Sequence, residues 1–225
     1  MMYVASAIAI VAAYLLGAVP FGLLIARARG TDLRSIGSGN IGATNVARAL
    51  GRKWGYVCFG LDVLKGLVPM VAARVVLTAC RNGAQPVGPA FLAIWLGVGI
   101  AAILGHVFPV YLKFKGGKGV STSFGVALGL WPYFTIGALV ALVVWAAVAL
   151  TWRYVSLASI CASTAFPIAL GVGIAVVDDW QITALWPLLV AAAAIPVLVI
   201  VRHRENIARL LAGTESKIRD KRSKN

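Results

Sequence analysis

Seven stretches of this chain are apolar enough to be read as membrane-crossing helices, and that limits the fold more than any other feature. A helix needs roughly 17 to 25 mainly apolar residues to cross ~30 Å of hydrocarbon. The stretches run Tyr3 to Ala26, Gly55 to Val76, Pro89 to Leu104, Val120 to Trp131, Tyr133 to Leu150, Val155 to Val177 and Ile182 to Val201. Hydrophobic residues make up 60% of the 225 and charged residues only 12%, with a mean hydropathy of +0.90. A soluble domain could not cover its surface from that composition. A membrane barrel would need alternating apolar and polar residues, which are absent. The expected fold is therefore an all-α integral membrane protein of seven transmembrane helices, a single domain over 1–225.

The fourth stretch is short, and Trp131-Pro132 is the only turn signal before the fifth, so a count of six is the alternative. Charge decides between them. With seven passes, Arg27 to Lys53, Lys113 to Lys118, Arg153 and everything from Arg202 onward fall on one side, carrying 18 of the 21 lysines and arginines. The other side holds Arg81, Asp178 and Asp179, and Lys65 and Arg74 lie inside the second pass. The positive-inside rule then makes the basic side cytoplasmic, with the N-terminus outside and the C-terminus inside. Six passes would put the basic tail opposite the first basic loop. The first span has no basic leader and reads as a retained anchor. A net charge of +14 laid beside membrane spans suits lipid headgroups and phosphorylated substrates, not nucleic acid. Cys58, Cys80 and Cys161 are isolated in apolar stretches, which suits neither disulfides nor a thiolate metal site.

Three stretches on the basic side carry chemistry. The first, Arg34 to Asn45, contains Gly37-x-Gly39-x-x-Gly42, with Asp62 twenty positions on. That is the spacing of a dinucleotide-binding loop, but the motif works only between a strand and a helix. Here it lies between membrane helices, so that reading is rejected. What remains is a turn whose peptide N–H groups can converge on an anion. Thr44 or Asn45 is expected to cap a helix beginning near Val46, with Arg48 in its first turn.

The second stretch, Gly105 to Gly125, interleaves Lys113, Lys115 and Lys118 with Gly116, Gly117 and Gly119. It is not a Walker loop, since Lys118 precedes a glycine and no strand comes first. The third, His203 to Ile218, suggests a short helix with Ile207, Leu210 and Leu211 on its apolar face, ended by Gly213 and leaving Arg209 free to turn inward. Both histidines, His106 and His203, fall at this boundary, and neither has metal-ligand spacing.

Together these stretches resemble the bacterial acyl-phosphate-dependent glycerol-3-phosphate acyltransferases, the PlsY family. The resemblance covers essentially the whole chain and rests on Gly37 to Asn45, on His106 to Gly119, and on His203-Arg-Glu-Asn-Ile207 followed by Gly213, Glu215 and Lys217. It implies seven membrane helices and transfer of an acyl group from acyl phosphate to glycerol 3-phosphate on the cytoplasmic side, with no cofactor, metal or acyl-CoA. By the same resemblance Ser38, Gly39, Asn40, Gly42, Thr44, Asn45, Arg48, Lys115, Gly116, Gly117 and Lys118 would bind phosphate. His203, Lys113, Asn206 and Glu205 would serve catalysis, and Ser156 and Ser159 would form a further patch.

The residue types suit that chemistry. An acyl phosphate is already activated, so directing a hydroxyl onto its carbonyl needs no protein nucleophile. Peptide N–H groups and lysines can stabilise the developing charge. His203, His106 or a substrate phosphate could take the hydroxyl proton. Asp62 and Lys65, three residues apart in the second span, are expected to pair and support the site. Gly17, Pro20 and Gly22 are expected to kink the first span. An organic-phosphate transporter is the rival reading, but the inverted halves such folds carry are absent. The His-x4-Asp signature of acyl-CoA enzymes is also missing, because Tyr111 and Ala208 stand five residues after the histidines.

Overall fold

The computed structural model describes residues 2–80 and 87–218. Arg81, and the tail cations Arg219, Lys221, Arg222 and Lys224, lie outside the described residues. All regular structure among the described residues is helical: α1 (Met2–Ala18), α2 (Phe21–Ala28), α3 (Ala43–Leu50), α4 (Arg52–Ala79), α5 (Pro89–Val107), α6 (Val120–Gly129), α7 (Tyr133–Trp152), α8 (Val155–Val176), α9 (Ile182–Arg202) and α10 (Arg204–Leu211), with 3₁₀ turns at Leu33–Ser35 and Val110–Leu112.

Among the described residues, six apolar segments are long enough to cross a membrane: Met2–Ala28, Arg52–Ala79, Pro89–Leu112, Tyr133–Trp152, Val155–Val176 and Ile182–Arg202. The first is not one smooth helix. Pro20 lacks the N–H that would continue the ladder, so the chain breaks between α1 and α2. The carbonyl of Val19 freed there accepts from Lys65 Nζ at 3.0 Å.

The stretch from Val120 to Trp131 forms a helix of only ten residues, α6. At 1.5 Å per residue it is about 15 Å long, half of what a full crossing needs. It runs parallel to α4 in very close contact. A Cβ at Gly125 would sit 2.0 Å from Val63 O, and one at Gly66 would sit 2.3 Å from Thr122 O. Small residues at such a crossing let backbones approach, the packing device available where water exclusion supplies no force. This pairing sets the first turn of α6 beside Asp62 and Gly66, well inside α4. The first ten residues of α4 and the last ten of α7 therefore extend beyond α6 on one side.

Loop contacts divide the molecule into two ends. At one end, Arg34 donates to Lys115 O at 2.9 Å, Arg202 to Gly117 O at 3.2 Å, and Ile218 N to Arg153 O at 2.7 Å. At the other, Arg74 donates to Trp131 O at 3.0 Å and Tyr133 packs on Trp180 with ring centres 5.4 Å apart. All three motif stretches lie at the first end.

Candidate functional site

The first glycine loop is folded by one asparagine. Asn45 Nδ2 donates to Leu33 O at 3.1 Å and to Ile36 O at 3.0 Å, while Oδ1 accepts from Ser38 N at 3.2 Å. Gly37 and Gly39 take left-handed φ values of 59° and 64°, which glycine adopts without a Cβ penalty. Asn40 Oδ1 accepts from Gly42 N at 2.9 Å. The expected cap is thus corrected. Helix α3 begins at Ala43 with Gly42 as its cap, Asn45 is an interior residue spent on the loop, and Arg48 lies in the last turn.

The second loop departs further from expectation. Gly116 N donates to Val107 O at 3.2 Å and Gly117 N to His106 O at 3.0 Å, so both peptide donors are consumed by the end of α5. Their carbonyls in turn accept from Arg202. Gly116 and Gly117 therefore seat the loop and do not present N–H groups to an anion. Lys113 and Lys115 are exposed and stand outside the cavity described below. Left-handed backbone at Lys113 and Phe114 (φ 50° and 63°) turns the chain there. Of the three lysines only Lys118 enters the cavity, immediately before Gly119, whose φ of 86° starts α6.

The third stretch delivers a hydrogen-bonded chain. Lys118 Nζ donates to Asn206 Oδ1, and Asn206 Nδ2 donates to Glu215 Oε1 at 2.6 Å. The same oxygen accepts from Ser156 Oγ at 2.8 Å, and Glu215 Oε2 accepts from Arg209 Nε at 2.7 Å. Burial alone would raise the Glu215 pKa, but the bonds from Asn206, Arg209 and Ser156 outweigh it and hold the carboxyl below its ordinary value. Glu205 is exposed and does not line the cavity. The buried carboxylate is Glu215, ten residues later. On α10, Asn206 and Glu205 lie three and four residues before Arg209 and both neighbour it; spacing pointed to a polar cluster around Arg209 and could not choose Asn206 over Glu205. Ser159 makes a different contact, donating to Val155 O and accepting from Trp145 Nε1 at 3.3 Å.

His203 closes α9. Its Nδ1 lies 2.7 Å from Val199 O, and a carbonyl can only accept, so Nδ1 carries the proton and Nε2 is left as an acceptor. Burial lowers its pKa to about 4, with Lys118 and Arg202 adding to the effect against Val199 and Glu215. The ring is therefore neutral near pH 7. Lys118 is lowered to about 8, first by burial and then by Arg209 and Arg48, with Glu215 and Glu205 opposing.

These groups open onto one cavity of about 1,090 Å³. Its polar end is lined by Ser38, Asn40, Gly42, Thr44, Asn45, Arg48, Lys118, Ser156, His203, Asn206 and Glu215. The first turns of α3 and α6 border it, and the leading N–H groups of a helix lack intrahelical partners. Ser123 Oγ, also in the lining, has no hydrogen-bond partner. The other end is an apolar trough of Phe134, Ala138, Ala141, Leu142, Trp145, Phe166 and Pro196, reaching between α7, α8 and α9. Asp62 and His106 lie in the wall, and Asp62 pairs with Lys65 at 2.9 Å as expected. The sequence offered no sign of the trough, because its residues resemble any other membrane-helix residues. No cluster of three His, Cys, Asp or Glu side chains able to hold a metal occurs among the described residues. One cavity can thus hold an anionic head beside a long apolar tail.

A sequence profile described as "Glycerol-3-phosphate acyltransferase" matches residues 7–213. The chain is 46% identical to the glycerol-3-phosphate acyltransferase of Geobacter sulfurreducens over 209 residues, 92% of this chain and 94% of that one. It is 43% identical to that of Aquifex aeolicus over 208 residues, covering 92% and 95%. A crystal structure of PlsY, an integral membrane glycerol 3-phosphate acyltransferase, in its glycerol 3-phosphate form is 40% identical and superposes with a TM-score of 0.79 over 95% of this chain and 96% of that one. The lysophosphatidic acid form gives 0.77, covering 95% of each chain.

Proposed function

The chain belongs to the glycerol-3-phosphate acyltransferase family, and from that premise we propose that it transfers the acyl group of an acyl phosphate to the 1-hydroxyl of glycerol 3-phosphate. The products are 1-acylglycerol 3-phosphate and inorganic phosphate, the first acylation of phospholipid synthesis. The observation that carries this reading is the single cavity joining a cationic end to an apolar trough between membrane helices. A transferred acyl chain needs the second, and two phosphate-bearing substrates need the first.

In the reaction the glycerol oxygen attacks the carbonyl carbon, a C–O ester bond forms, and the anhydride C–O bond breaks with its electron pair leaving on phosphate. Arg48 and Lys118, with Ser38, Asn40, Thr44 and the leading N–H groups of α3 and α6, hold the two phosphates and stabilise the charge that develops. His203 Nε2 accepts a hydrogen bond from the attacking hydroxyl and aims it. The proton ends on a substrate phosphate. Magnitudes favour that home: the second ionisation of a phosphate monoester lies near ~6, whereas His203 is lowered to about 4 and is the weaker base. Glu215 is a strut that fixes Asn206, and through it Lys118.

The domain is single over 1–225, and α6, too short to cross alone, makes the fourth of seven passes together with the loop that leads into it from Lys113. The N-terminus lies outside and the C-terminus and active site face the cytoplasm of a bacterial inner membrane, an orientation supported by the clustering of basic residues at the motif end. The test is to supply purified protein with glycerol 3-phosphate and either palmitoyl phosphate or palmitoyl-CoA. Lysophosphatidate and inorganic phosphate from the first, unaffected by a chelator, are expected. Full activity with the CoA ester alone, or chelator inhibition that added metal reverses, would overturn the donor assignment.

A further inference from the structure

Below the Lys118 loop, three buried polar side chains take no part in the reaction just described: Asp62 and Lys65 on α4 and His106 on α5, each no more than 4% exposed. Asp62 Oδ1 meets Lys65 Nζ at 2.9 Å and lies 3.7 Å from His106 Nδ1. Lys65 is tied on its other side to Val19 O, at the break between α1 and α2. Charges placed inside a membrane helix are costly, so a pair like this needs partners that use it. Across its helix interfaces the pair faces Val19 O and the Phe21 ring through Lys65, and through Asp62 the imidazole of His106, whose buried Nδ1 has no hydrogen-bond partner.

That imidazole has the loop resting on it. A Cβ at Gly117 would lie 2.0 Å from His106 Nε2 and 2.7 Å from Cε1, so the peptide of Gly117 packs against the ring with no room for a methyl group. From above, Arg202 holds the carbonyls of Gly116 and Gly117 at 3.4 and 3.2 Å. The loop is pressed between a ring and a guanidinium, and the next residue is Lys118. We infer that His106 is a positioning residue for Lys118: its ring, buried beside the Asp62–Lys65 pair, sets the height of Gly117, and that height places the Lys118 ammonium in the cavity. This rests on the acyltransferase reading, in which Lys118 contacts a substrate phosphate.

The test is a double-mutant cycle on the full-length enzyme with palmitoyl phosphate as donor. Gly117→Ala forces the ring and loop apart and should lower kcat/KM by ~10²-fold, the scale of a 1 Å misplacement at a reacting centre. His106→Ala removes the seat. In the double variant the new methyl occupies space the ring has left, so activity should recover several-fold above Gly117→Ala alone. His106→Asn, whose amide keeps part of the ring's bulk beneath Gly117, should do better than His106→Ala.

The second readout is the alkaline limb of the pH profile, set by Lys118 near about 8. The charged groups facing Lys118 are Arg48 from α3, Glu205 and Arg209 from α10, and Glu215 beyond α10, and none is altered in the cycle. The limb should move in Gly117→Ala and return toward its wild-type position in the double variant. Effects that simply multiply, with an unmoved limb, would overturn the inference. So would variants whose Tm falls while kcat, KM and the limb stay at wild-type values. Failure of the acyltransferase reading is separate, because the wild-type enzyme itself would then form no lysophosphatidate.

Discussion

Replacing His203 by glutamine and by asparagine separates two roles that one side chain could hold. Glutamine puts an amide near the position of Nε2, where its oxygen can still accept from a hydroxyl. Asparagine keeps a donor for Val199 O and removes everything at Nε2. The buried ring is lowered to about 4 from an ordinary 6.5. The unfolded chain therefore takes up the proton first, and stability falls as pH drops from 6.5 to about 4, then stays level. At 1.36 kcal/mol per unit the full loss is about 3 kcal/mol, or roughly 10 °C in Tm for a chain of this size. Both variants should lack that component when wild type and variant are unfolded side by side in detergent between pH 7 and pH 4. For turnover, an orienting role costs His203→Asn about one hydrogen bond, roughly 1 kcal/mol or about five- to tenfold in kcat, and His203→Gln less. The acid limb, which belongs to phosphate, should remain. A loss of ~10²–10⁴-fold in His203→Gln with that limb erased would make His203 the base and refute the assignment of the proton to phosphate. An unchanged pH slope of stability in the variants would refute the buried neutral ring.

Glu215→Gln keeps the shape of the strut but leaves one of Ser156, Asn206 or Arg209 facing a donor. Stability should drop by about 2–3 kcal/mol, and the acid-induced loss that wild type shows, as pH falls through a carboxyl held below its ordinary value, should shrink; equal acid profiles would contradict the strut. Lys118→Met should raise KM for the phosphate substrates by ~10²-fold, the weight of a charge-assisted contact. Wild-type KM should rise above about pH 8 as Lys118 loses its proton, and the variant should lack that rise. Arg48→Ala should also raise KM but keep the alkaline limb, moved to higher pH because Arg48 is one of the cations that lower Lys118, and Lys113→Ala should leave both constants near wild type because that side chain lies outside the cavity. In a cysteine-free background, Lys113→Cys should resist an impermeant thiol reagent in intact cells and Asp179→Cys should react; the reverse pattern would invert the topology.

The sequence alone determined the class of structure, the grouping of the loops and the family. Those properties follow from quantities that add along the chain: apolar run length, the count of cations between runs, and motifs carried on contiguous residues. The pairing of Asp62 with Lys65 was legible for the same reason, since three residues on a helix make neighbours. Tertiary structure decided which motif residues face the cavity. Glycines 116 and 117 looked like anion donors until α5 ended against them and took their N–H groups. Lys113 and Lys115 could not be told from Lys118 by type or spacing, yet a left-handed turn leaves the first two outside the cavity and α6 starts from the third. Glu205 carried the motif's carboxylate position, while the buried carboxylate is Glu215, brought back by the turn after α10 to meet Ser156 from another helix. The ten-residue length of α6 and the apolar trough came from packing as well. Which face of a membrane helix meets a neighbour depends on backbone approach between distant segments, and in a chain this uniformly apolar no periodicity marks that face beforehand.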